Sequence, residues 1–128
     1  MLRKFVTAAL LLVALAASAQ AAQAMKGYEL YSWKVKGRWH YALLAGTNRA
    51  KSYDEITSAA SERVGVAALE AELKKVPRGE EVFWMSAAHA NVVKPRAKGS
   101  AVLELPSRQR IRRIKAYCDK LGIKLVLR

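Results

Sequence analysis

Apolar and polar positions alternate with a period of two across residues 28–44, Y-E-L-Y-S-W-K-V-K-G-R-W-H-Y-A-L-L. Tyr31, Trp33 and Val35 interleave with Leu30, Ser32 and Lys34, and Trp39, Tyr41 and Leu43 interleave with His40, Ala42 and Leu44. That spacing sends successive side chains to opposite faces of a strand. The pattern breaks at Lys36-Gly37, where Gly37 can take the positive φ that a tight reversal demands, so the expectation is an antiparallel hairpin. Tyr31, Trp33, Trp39 and Tyr41 are expected to pair across it as a four-aromatic face, read first as core and second as a platform for sugar rings or bases.

The period then lengthens to that of a helix. Val66, Leu69, Leu73 and Val76 recur at i, i+3, i+7 and i+10, with Glu70 and Lys74 spaced for an i,i+4 ion pair and Pro77 and Gly79 closing the segment. Ile111, Ile114, Cys118 and Leu121 repeat that stripe between an N-cap at Ser107 and a stop at Gly122. Each helix leads into an apolar run, 81–85 and 123–127. The first run is continuous enough for a central strand covered on both faces. The Ser52-x-x-Glu55 spacing of a capping box predicts a short helix over 53–58. The pattern lapses between 86 and 106, where 101–105 offers a short strand that breaks up an otherwise long loop.

These elements predict an α+β fold: a single two-layer domain with an N-terminal antiparallel β-hairpin, two further strands, and two main helices on one face. The predicted core is Leu69, Leu73, Phe83, Ile111, Ile114 and Leu121. Strand order is not encoded in the pattern.

Residues 1–24 stand apart from this domain, which is expected to occupy 25–128. Arg3 and Lys4 precede an uncharged apolar run of 13 residues at 5–17, and small residues follow at 17–19 and 22–24. This is the layout of a secretory signal peptide cut after Ala19 or Ala24, which predicts a periplasmic or extracellular protein. An uncleaved anchor is the weaker alternative, because the run falls short of the ~20 residues that span a bilayer. A start at Met25 would leave a well-formed export signal as an accident. After cleavage no membrane span is expected.

Export changes how the charge is read. The chain carries 23 basic and 10 acidic side chains; without Arg3 and Lys4 the net charge is near +11. Inside a cell such a balance points to nucleic acid, whereas outside the inner membrane the available polyanions are lipid head groups, acidic glycans and released DNA. The bland reading is that charge keeps a small exported domain dissolved. Arg108, Arg110, Arg112, Arg113 and Lys115 crowd the first two turns of the last helix, where cations oppose the macrodipole, so helix stability does not explain them. Together with Lys94, Arg96 and Lys98 of the preceding loop they form the candidate anion-binding set. Asn48 and Arg49, in the loop at 45–49, are read as a turn before they are read as an anion pocket.

Candidate chemistry is sparse. Cys118 is the single cysteine, so no internal disulfide can form, and with two histidines no spacing reads as a zinc site. Cys118 lies on the apolar face of its helix and is read as a buried thiol. His89 has no serine, cysteine or carboxylate at a telling spacing and is read as a solvated loop residue. No catalytic residue, metal or cofactor is predicted.

The segments E-L-Y-S-W at 29–33, G-T-N-R at 46–49, the E-E-V-F-W strand and the Cys118-containing helix resemble those of a loose group of small exported bacterial proteins. The resemblance covers most of the mature chain. It implies this fold and a bacterial origin, and it brings no activity with it. Three function classes remain open. The first is a non-enzymatic exported domain that contacts an envelope protein. The second is a binder of acidic polymers through the last helix. The third and least supported is a hydrolase or oxidoreductase, which a cluster of His40 or His89 with Cys118 and an acid would revive. Partner and oligomeric state are not encoded in any motif.

Overall fold

The computed structural model describes residues 27–46, 51–87, 90, 92, 98, 99 and 101–128. The expected signal peptide lies outside the described residues, as do Asn48, Arg49, His89, Lys94 and Arg96.

The hairpin forms from β1 (Tyr28–Val35) and β2 (Arg38–Ala45). Lys36 and Gly37 both take positive φ, 50° and 79°, which is the two-residue turn whose twist matches that of the flanking strands. A two-residue turn has a consequence for register. Val35 pairs with Arg38, so odd positions of β1 face even positions of β2 all along the ladder. Tyr31 and Trp33 therefore lie opposite Ala42 and His40, while Trp39 and Tyr41 lie opposite Lys34 and Ser32. The expected four-aromatic face does not exist, because the register places two aromatics on each side of the sheet.

Three further strands complete a five-stranded sheet of order β3-β2-β1-β4-β5. β4 (Glu81–Trp84) runs parallel to the start of β1, and β5 (Lys124–Leu127) runs parallel to β4, so β4 is central as its apolar run implied. β3 (Arg63–Val64) is only two residues long and pairs with Tyr41 and His40 on the outer edge of β2. Where β4 leaves β1, the segment at 101–105 takes its place. It is not a full strand, but Leu103 bridges Trp33 antiparallel and the Glu104 amide donates to the Ser32 carbonyl at 2.9 Å.

The helices have the caps their sequences predict. In α1 (Tyr53–Thr57), Ser52 Oγ accepts from the Glu55 amide at 3.1 Å. α2 spans Val66–Leu73 and α3 spans Arg108–Leu121. α3 ends at Gly122, φ 71°, where the Ile123 amide donates to the Cys118 carbonyl and the Gly122 amide to the Asp119 carbonyl. The loop after α2 meets this end, since the Gly79 amide donates to the Gly122 carbonyl at 2.8 Å.

α2 and α3 cover one face of the sheet. Leu69, Leu73, Ile114 and Cys118 pack there against Leu30, Tyr41, Val82 and Trp84, with Ile111 and Leu121 partly buried at the margin. Burying a side chain such as Leu or Ile stabilises a fold by about 1.5–3 kcal/mol, so this cluster is the main source of cohesion. A smaller core of Tyr31, Trp33, Ala42, Ile56, Met85 and Leu103 fills the opposite face beneath α1 and the 101–105 segment. Phe83 belongs to this second side and is only partly buried, which corrects its expected place among the helices. The cause is the strand period: Val82 and Trp84 take the helix side of β4, so Phe83 must point away.

Two ion pairs differ from expectation. Glu70 reaches across to Arg113 of α3 at 3.0 Å rather than along its own helix to Lys74. Glu29 and Lys51, the latter fully buried, form an ion pair beneath the second face.

Candidate anion-binding surface

The directions of the elements decide which cations meet. β1 runs toward the hairpin turn. β4 and β5 run the same way, so α3, which ends by feeding β5, begins at the turn end and finishes at the opposite end. Arg110 marks that beginning: its Nη1 donates to Tyr41 Oη at 3.3 Å, and Tyr41 pairs with Ser32 three residues before Val35. α2 also begins near the turn, since the Gly65 amide that precedes it donates to the Trp39 carbonyl at 2.9 Å.

The five basic residues at the start of α3 divide into two groups. Arg110 and Arg113 have structural partners, Tyr41 and Glu70. Burial of Tyr41 pushes its phenol above the ordinary value; the Arg110 hydrogen bond and the Arg110 and Arg113 charges pull it partly back. Arg108, Arg112 and Lys115 are exposed, and none has an ion pair among the described residues. Their spacing of four and three places them in one stripe about 10 Å long on the solvent face of the helix. The five helix cations of the expected eight-residue set therefore resolve into three that point outward and two that fasten the helix. Lys98 is exposed, and Lys94 and Arg96 lie outside the described residues.

The hairpin tip was not part of the expected set, yet the fold brings it to the same end. Lys34, Lys36 and Arg38 are exposed there, and Lys34 Nζ lies 5.9 Å from the centroid of the half-buried Trp39 ring. Trp39 packs against the same core cluster as Ile111 of α3. Residues 34–38 and 108–112 are far apart in sequence, and nothing in either stretch signals the other. Only the register of β1 on β2 and the docking of Arg110 on Tyr41 join them.

The groups that would serve chemistry are kept apart. Cys118 is fully buried under the helices, and burial, with the Asp119 charge adding to it, raises its thiol to about 11. His40 stacks on Trp33 and holds Glu62 Oε1 through Nδ1 at 2.6 Å, at the β2–β3 edge on the other side of the sheet. His40 has thus found an acid but not Cys118. Among the described residues no three His, Cys, Asp or Glu side chains gather to hold a metal ion, and no helix is long and apolar enough to cross a membrane. No family model, curated protein or solved structure matches the chain.

Proposed function

We propose that this chain is an exported binding domain without catalytic activity, and that it contacts an acidic partner through the solvent face of α3. The observation that carries the reading is the stripe of Arg108, Arg112 and Lys115, exposed and without ion pairs among the described residues, in a helix whose other two leading arginines are engaged. Arg108 sits in the first turn, where the macrodipole disfavours a cation, so helix stability does not account for it. Export, read from residues 1–24, makes the partner an envelope or extracellular polyanion. The separation of Cys118 from the His40–Glu62 pair speaks for binding rather than catalysis.

Salt-dependent retention on heparin tests the reading. Arg112→Gln with Lys115→Gln should elute earlier and with a flatter salt dependence, because each lost contact releases about one counterion fewer. Lys120→Gln with Lys124→Gln, at the opposite end of the domain, removes the same charge. Equal losses from the two pairs would mean that retention follows total charge and that α3 presents no site.

A further inference from the structure

The end of the domain that carries the hairpin and α3 cations also carries three of the four large apolar side chains exposed among the described residues. Among the described residues the exposed large apolar side chains are Val35, Val64, Val102 and Leu127, at 39%, 41%, 50% and 50%. The sheet register locates the first three. Leu103, Trp33, His40 and Val64 lie in one row across the sheet, which sets Val64 within about 10 Å of strand from the turn. Val102 is one residue nearer the turn than Leu103, and Val35 adjoins the turn itself. Val35 and Val64 point to the face opposite the two long helices and Val102 is level with Lys34, while Lys34, Lys36 and Arg38 on the hairpin and Arg108 and Arg112 on the first turns of α3 lie at the same end.

We propose that this end of the domain docks on an anionic lipid bilayer. The inference rests on the proposed anion-binding role and names the partner. A dissolved polyanion such as an acidic glycan rewards cations alone and leaves exposed valines unsatisfied. A bilayer surface rewards both, since the cations meet anionic head groups while small apolar side chains enter the boundary between head group and acyl chain. Trp39 fits that boundary as well: it is half-buried, on the helix side of the hairpin, with Lys34 against its ring. The acids at this end do not cancel the charge. Glu62, hydrogen-bonded to His40, and the exposed Glu104 stand against five exposed cations. The opposite end has Lys74, Lys120 and Lys124 exposed but none of the three valines, so it matches the charge without the apolar component.

The test is co-sedimentation of the full chain with vesicles of phosphatidylcholine containing phosphatidylglycerol, against phosphatidylcholine alone, so that any contribution of residues 1–24 is common to every variant. Lys34→Gln, Lys36→Gln and Arg108→Gln together should lower partitioning on the anionic vesicles roughly 100-fold, at about fivefold per cation. Lys74→Gln, Lys120→Gln and Lys124→Gln remove equal charge and should lower it only a few-fold. Val35→Ser should weaken vesicle binding and leave heparin elution unchanged. Trp33 and Trp84 are already buried, so a blue shift of tryptophan emission on vesicles should come from Trp39 and vanish in Trp39→Phe. Equal losses from the two charge triples, or an unaffected Val35→Ser, would overturn the docking of this end on lipid. Retention on heparin or an oligonucleotide without vesicle binding would overturn the lipid partner and leave the anion-binding reading standing. Failure to bind any of them would overturn both.

Discussion

Lys51→Met is the sharpest probe of how the second face holds together. Lys51 is fully buried and Glu29 is 4% exposed, so their ion pair sits in surroundings that hydrate neither charge well. Glu29 lies on β1 between Leu44 of β2 and Phe83 of β4, both apolar. Methionine keeps most of the lysine stem and removes the ammonium, which leaves a carboxylate in an apolar strip without its counter-charge. Breaking one side of a buried pair costs about 3–5 kcal/mol. For a domain of this size each kcal/mol is worth about 4–8 °C, so the melting temperature should fall by roughly 12–40 °C. A parent at the lower end of the typical range of about 5–15 kcal/mol would leave the variant largely unfolded at ambient temperature. The assay is urea unfolding followed by tryptophan emission, with Glu29→Leu/Lys51→Met as the second arm. Replacing both charges with apolar groups removes the uncompensated charge, and the double variant should recover to within about 1 kcal/mol of the parent or exceed it. A loss below about 1 kcal/mol in Lys51→Met would refute the argument, because the pair would then be as weakly coupled as one in water. A double variant no better than the single would show that the two charges do not act on each other.

Two further outcomes follow from the larger core. Leu73→Ala removes a fully buried side chain between α2 and the sheet and should cost about 2–5 kcal/mol by urea unfolding; a loss below half of one kcal/mol would contradict that packing. Cys118, with its thiol raised to about 11 from an ordinary 9.0, stays protonated in the folded chain where the unfolded chain ionises, so stability should decline as pH rises from about 9 to 11. Cys118→Ala should remove its share of that slope, and a thiol-reactive dye should label the native protein at pH 8 only as fast as the chain opens. Rapid native labelling would show that Cys118 is accessible.

What the amino-acid order determined by itself is local. The 3.6-residue stripes, the Ser52 and Ser107 caps, the Gly122 stop and the Lys36-Gly37 turn each depend on contacts within a few residues, and each element appears where these signals place it. The pair of helices on one face follows from two apolar stripes that need a common surface. Register has a local signature too, since a two-residue turn makes odd positions of β1 face even positions of β2, and that parity divides the four aromatics between the two faces. The tertiary structure alone decided the rest. That Lys51 would meet Glu29 and that Glu70 would prefer Arg113 to Lys74 depend on which elements become neighbours. Strand order arises from the total burial of the chain and has no local signature. The candidate surface shows the same division. The charge of α3 is plain in its residues, but two of its arginines are taken by Tyr41 and Glu70, and the hairpin tip joins the other three only because α3 feeds a strand parallel to β1 and so must begin at the turn end.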